Sequence, residues 1–267
     1  MVGADMPGEL SDHVAIVTGG ASGIGAAAAS LLQDAGAAVI VADIQPARDG
    51  VGRFVDHDVT SEDAWKALLA GVLAHEGRLD ILVNNAGVSG GAGTLETTTV
   101  EQWRKIESIN SEGVFLGCKY AIEGMKKTGP TKAQPKGSIV NISSIAALIG
   151  SAGPVAYTAS KGAVRLLTKS VALHCAEQKY GIRCNSVHPG GVDTPIFNPL
   201  WQMVGREQGK AYLDQNHPIG HMAEPAELGE LILWLASDRS SFVTGAEFVA
   251  DGGLTSGLRK GRVFGAP

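Results

Sequence analysis

Tyr157 and Lys161 stand four residues apart in PVAYTASKGAVRLLTKS, where apolar or small positions Val155, Ala159, Ala163, Leu166, Leu167 and Val171 recur at threes and fours. That period predicts a helix, with Pro154 suited to its first turn and both side chains on one face. A phenol is a poor acid–base group at neutral pH, with a reference pKa of about 10. An ammonium ~4 Å away attracts a phenolate by ~4 kcal/mol at an effective dielectric of ~20, enough to lower the phenol by roughly two to three units. A phenol so tuned could exchange a proton with a substrate oxygen. The alternative is a half-buried helix tyrosine beside a lysine that reaches solvent. The choice between them depends on what else the chain places nearby.

A second group of residues suits phosphate and ribose. Gly19, Gly23 and Gly25, with Ser22 and Ile24 between them, lie between an apolar run (13–18) and a helix-period segment. Glycines at such a junction let the backbone turn tightly and bring unpaired helix N–H groups to a pyrophosphate. Asp43 ends the next apolar run, about twenty residues beyond the loop, where a carboxylate can hold both ribose hydroxyls. The same charge would repel a 2′-phosphate, and Ser22 occupies a position where a cation could have gripped one. NAD is therefore expected over NADP, with Arg48 the residue that argues the other way.

The elements that must carry these groups alternate. Strands are expected at 13–18, 38–42, 54–55, 79–83, 139–142, 182–187 and 246–250, with helices at 26–35, 61–75, 100–126, 155–179 and 224–236. Residues 195–222 read as an irregular, partly helical lid. Strand–helix alternation implies an α/β fold: a doubly wound parallel sheet of about seven strands with helices on both faces. No linker or repeat divides the 267 residues, so a single domain is expected, with 1–12 and 256–267 as flexible or interface tails. Gly19–Gly25, Asp43, Asp58, Asn85, Ser144 and Pro189 all fall at carboxyl ends of strands, the rim where such sheets bind ligands. Only ten residues separate the second strand from the third, too few for an ordinary crossover helix. The basic, Pro-containing stretch 127–137 reads as a solvated surface insertion.

Composition narrows the class. Apolar residues make up 44% and charged residues 18%, which permits a large core and argues against disorder. Net charge is −5 and no long Lys/Arg block occurs, so no nucleic-acid footprint is visible. Three cysteines without metal-ligand spacing predict reduced thiols, neither a disulfide framework nor a metal site. The seven histidines show no cluster and read as surface or satisfied core residues. There is no apolar leader and no eighteen-residue apolar run, so a cytoplasmic protein without a membrane span is expected.

These motifs together resemble the short-chain dehydrogenase/reductase family, over residues 10–255. Its T-G-x-x-x-G-x-G pattern is met by Thr18 to Gly25 and its N-N-A-G element by Asn84 to Gly87. Its active-site serine, thirteen residues before Y-x-x-x-K, is met by Ser144 rather than Ser143. The resemblance implies a single-domain Rossmann-type fold and a catalytic tetrad of Asn110, Ser144, Tyr157 and Lys161. Tyr157 would exchange the proton, Lys161 would lower its pKa and bond the nicotinamide ribose, and Ser144 would hold the substrate oxygen. Asn110 would anchor a water of a proton relay; its alternative is a helix-interior asparagine bonded to backbone. Asp58 and Val59 would meet the adenine, and Asn85, Ala86 and Gly87 the adenosine ribose side. Beyond Pro189-Gly190, Val192 and Thr194 would hold the carboxamide. A homotetramer is also implied, through helices 100–126 and 155–179 and the region 224–250.

Substrate specificity is expected from 145–155 and from the lid, with Ser144, Ala146, Leu148, Tyr157, Phe197, Leu200 and Trp201 around the substrate. Their apolar character points to a small hydrophobic alcohol or ketone, plausibly cyclic: a terpenoid, steroid or cyclohexanol-like ring. Alternatives are a 3-oxoacyl-thioester reductase, a non-catalytic NAD-binding regulatory protein, and a lyase or epimerase that uses bound NAD without net turnover.

Overall fold

The computed structural model describes residues 8–47, 50–91, 93–127 and 132–257. In chain order its elements are β1 (Val14–Thr18), α1 (Gly23–Asp34), β2 (Ala38–Asp43), β3 (Arg53–Asp56), α2 (Glu62–His75) and β4 (Ile81–Asn84). There follow α3 (Val100–Glu107), a π-helical turn (Ser108–Glu112), α4 (Gly113–Met125), β5 (Gly137–Ile142), α5 (Val155–Glu177) and β6 (Ile182–Pro189). The last are α6 (Asn198–Val204), α7 (Arg206–Asn216), α8 (Pro225–Ala236) and β7 (Glu247–Ala250).

All seven strands pair in parallel, in the order β3-β2-β1-β4-β5-β6-β7. Successive side chains of the central strands enter opposite cores, as the two-residue period requires. Ile16 and Leu82 join Trp65, Leu69, Val114 and Met125 on the α2, α4 and α5 side. Ala15, Val17, Ile81 and Val83 join Leu32, Leu228 and Ile232 on the α1 and α8 side. Burial on both faces explains why these strands read as unbroken apolar runs. The strand order reverses between β1 and β4, which opens a crevice at their carboxyl ends.

No helix joins β2 to β3 among the described residues, as the short connection implied. Arg48, which bears on cofactor choice, lies outside the described residues. The long helix expected over 100–126 is α3 and α4 joined through the π-helical turn. Two expectations are corrected. Residues 8–12 are anchored: Leu10 is buried among α1 and α8 residues, and its N–H donates to the Ala35 carbonyl at 2.9 Å. Within 127–137, of which 128–131 lie outside the described residues, Lys127 and residues 133–136 are exposed as expected, but Lys132 is buried. It pairs with Asp80 at 3.1 Å and donates to the Leu79 and Lys136 carbonyls, at 2.5 and 2.6 Å. Its charge thus serves the start of β4.

Candidate active site

Thr18 closes β1 and ties it to β4. Its Oγ1 accepts from the N–H groups of Asn85 and Ala86, at 3.0 and 3.1 Å. The Asn85 amide donates to the Thr18 and Gly19 carbonyls, both at 3.0 Å, so that side chain is committed to the loop. Gly19 and Gly23 have φ of 61° and 53°, the left-handed region that favours glycine. A Cβ on Gly25 would collide with the Gly19 carbonyl and the Asn85 amide. The helix that follows differs from α2 and α3, whose side chains at Ser61 and Thr99 cap them: Ser22 makes no capping bond. The first-turn N–H groups of α1 are therefore left open on the rim. Asp43 lies against this loop, Oδ2 accepting from Ala21 N–H and Oδ1 from Gln45 N–H, both at 3.0 Å.

Further along the rim, Asp58 accepts from the Thr60 amide and hydroxyl, at 2.9 and 2.8 Å. Val59 is buried, its carbonyl held by the Trp65 indole N–H at 3.0 Å. His57 packs edge-on to Trp65, ring centroids 4.5 Å apart, and burial pushes its pKa down to about 4, so it is neutral.

The chemistry-bearing side chains meet between β5, α5 and the π-helical turn. Ser144 is buried; its Oγ accepts from Ala146 N–H at 3.1 Å and stands close enough to the Tyr157 phenol to act on its ionisation. Ser143 is turned the other way and donates to the Lys161 carbonyl at 3.0 Å. Lys161 Nζ donates to the Ile142 carbonyl at 2.8 Å and stands 5.7 Å from the centre of the Tyr157 ring. Asn110 is fully buried in the π-helical turn. It accepts from Val88 N–H at 2.9 Å and donates to the Val88 carbonyl at 2.9 Å and to Ser160 Oγ at 3.1 Å. Ser160 Oγ in turn donates to the Tyr157 carbonyl at 2.8 Å. A Cβ on Gly87 would stand 3.2 Å from Asn110 Oδ1 and 3.5 Å from Lys161 Nζ, so only a glycine leaves this space free.

One electrostatic expectation is corrected. Burial raises the Tyr157 phenol above its ordinary value, the nearby Ser144 hydroxyl partly opposing it, and burial lowers Lys161 to about 8. Desolvation is the largest influence on both groups. The Asn110 side chain is bonded to the Val88 backbone and to Ser160.

Pro189 ends β6, Gly190 N–H donates to the Ala250 carbonyl at 3.0 Å, and Val192 is buried. A Cβ on Gly23 would lie 3.1 Å from the Thr194 methyl, so the strip after β6 abuts the glycine loop. Phe197 and Trp201 stand 5.5 Å apart between ring centroids, and Trp201 packs into α7 at Gly209. Ala146, Leu148 and Leu200 are partly buried. The Ala147 carbonyl accepts from Arg165 Nη1 at 3.3 Å, and Arg165 pairs with Glu247 at 2.9 Å.

Two supporting residues escaped the sequence reading, Ser160 and His188, and Thr18 was read only as the start of the glycine motif. His188 donates from Nδ1 to the Ser144 carbonyl at 3.1 Å, and its Nε2 lies 2.8 Å from Ser186 Oγ. Ser186 and His188 sit two apart on a strand, a same-face spacing that was visible, but their partners lie in distant segments.

A family model described as enoyl-(acyl carrier protein) reductase matches residues 19–255. The chain is 41% identical to an NADP-dependent (R)-specific alcohol dehydrogenase of Lentilactobacillus kefiri, covering 94% of this chain and all of that one. It is 40% identical to the cyclopentanol dehydrogenase of Comamonas testosteroni, covering 93% and 99%. A solved structure of Thermoplasma acidophilum aldohexose dehydrogenase, ligand-free, superposes with a TM-score of 0.86 at 34% identity, covering 95% and 98%.

Proposed function

The chain belongs to the short-chain dehydrogenase/reductase family, and from that premise we propose that it interconverts a hydrophobic cyclic secondary alcohol and its ketone with NAD. The observation that carries this reading is the convergence of Ser144, Tyr157, Lys161 and Asn110 beside Gly87, on the rim that bears the uncapped end of α1. The glycine loop, the open N–H groups of α1 and the Asp43 carboxylate fit a dinucleotide. When bound, the nicotinamide supplies the hydride acceptor. Ser144 holds the substrate oxygen, and Tyr157 takes the alcohol proton as its own phenolic proton passes to the neutral form of Lys161. Lys161, whose pKa of about 8 allows exchange near neutrality, passes it toward solvent past Asn110. Val192 and Thr194 hold the carboxamide; Asp58, Val59 and the Asn85–Gly87 segment flank the adenosine.

Asp43 favours NAD, whereas the Lentilactobacillus relative is NADP-dependent. The apolar side chains Leu148, Phe197 and Leu200 favour a neutral ring, as does the cyclopentanol relative. The family model's description keeps an acyl-thioester substrate as the second reading. Initial rates with NAD and NADP across cyclic alcohols, linear alcohols and acyl thioesters test all three points. NAD with a cyclic alcohol is expected to give the highest kcat/KM; preference for a thioester would sink the substrate assignment. Tyr157→Phe is expected to lower kcat by about 10³-fold, an acid–base contribution, while NADH still binds. Undiminished turnover would remove Tyr157 from the chemistry.

A further inference from the structure

Helix α7 is fastened at both ends to the strip Gly191–Thr194. At its start, Arg206 pairs with Asp193 at 2.8 Å. Just past its end, His217 is buried with both ring nitrogens engaged by main chain. Nδ1 lies 2.8 Å from the Leu213 carbonyl, and Gly191 N–H donates to Nε2 at 2.9 Å. A carbonyl can only accept and an amide N–H can only donate, so Nδ1 carries the hydrogen and Nε2 the lone pair. The ring lies directly on the strip: a Cβ at Gly191 would stand 2.7 Å from His217 Cε1. The segment beyond returns to the same place. Ala223 N–H donates to the Gly191 carbonyl and Asp193 N–H to the Ala223 carbonyl, both at 2.9 Å. Thr194, the last residue of the strip, touches the glycine loop at Gly23.

We propose that His217 is a positioning residue for the nicotinamide half of the site: it fixes the Gly191–Thr194 strip against the lid through the Gly191 N–H, with Arg206–Asp193 as the second fastening. The inference rests on the proposed function, in which Val192 and Thr194 hold the carboxamide. Without His217, Gly191 N–H loses its only acceptor in this arrangement, and the strip is free to drift from the lid. The adenosine half, built on β2, β3 and the end of β4, has no bond to His217. The loss therefore falls on dinucleotides and spares a ligand that lacks nicotinamide.

The test is binding of NADH and of ADP-ribose, which lacks the nicotinamide, to wild type, His217→Phe, His217→Gln and Arg206→Met. His217→Phe is expected to weaken NADH about tenfold, the scale of one unsatisfied buried N–H, with ADP-ribose unchanged. His217→Gln, whose carbonyl can accept from Gly191, is expected to recover most of the loss. Equal weakening of both ligands, unaltered NADH binding in His217→Phe, or a glutamine no better than phenylalanine would each overturn the proposal. Should His217→Phe not fold, Arg206→Met decides, because its side chain is exposed while its partner Asp193 is buried on the strip: selective loss of NADH supports the proposal and none defeats it. Wild type that binds ADP-ribose but not NADH defeats it too, and wild type that binds neither defeats the proposed function beneath it.

Discussion

Lys161 is 4% exposed, and its ammonium has one hydrogen-bond partner, the Ile142 carbonyl. Burial brings its pKa to about 8, from the 10.5 of an unperturbed lysine. The consequence for stability has a definite sign. Between those two values the unfolded chain binds the extra proton and the folded chain does not, so this residue's contribution improves as pH rises. Below about 8 the cost of the buried charge is fully present. Urea unfolding of unliganded wild type and Lys161→Met is therefore expected to show wild type gaining on the variant from pH 8 to 10. A gap that stays constant would mean the amine is solvated and its pKa ordinary. A lysine kept at this cost beside a phenol suits the proton-transfer role proposed for it.

At the scale of elements, β4 shows how the rim is held from its far end. Asp80, at the start of β4, is buried and takes bonds from Arg78 Nε at 2.7 Å and Val14 N–H at 3.0 Å, with Lys132 at 3.1 Å. Burial opposes ionisation, but Arg78, Lys132 and the Val14 amide together hold its carboxyl below the usual range. Asp80→Ala is expected to cost about 3–5 kcal/mol, because Lys132 is left buried and unpaired. Thermal melting would register that loss, while kcat at a temperature where the variant is folded is expected to stay near wild type. A fall in kcat equal to that of a rim variant would contradict this separation of roles. The rim itself was legible in the sequence, because glycine spacing and the Y-x-x-x-K pair depend on local geometry alone. Lys132 and Leu10 were not. Each lies in a polar stretch and is buried only by a segment distant in sequence, Asp80 for one and α1 with α8 for the other. The π-helical turn was equally hidden, since one wide turn barely disturbs an apolar period; it brings Asn110 to Val88.

For the whole molecule, the outer faces of α4 and α5 carry Phe115, Leu166 and Leu173, at 49%, 64% and 65% exposure. Apolar side chains so placed on adjacent helices suit burial against a second copy, in line with the tetramer that the family resemblance implied. Light scattering is expected to give about four times the chain mass of 27.5 kDa, and Leu166→Glu with Leu173→Glu is expected to reduce it. A monomer at micromolar concentration would refute the assembly.

Cys118, Cys175 and Cys184 are all buried, on α4, α5 and β6 respectively, and Cys118 and Cys184 share Asn141 as a neighbour. Burial also pushes the Cys175 thiol up to about 11 and Cys184 higher than usual, so neither forms thiolate readily. The native molecule is thus expected to be silent toward sulfhydryl reagents, so that labelling would report that these three elements have come apart. The chain carries its own clock for breathing of the layer behind Tyr157, without an introduced probe.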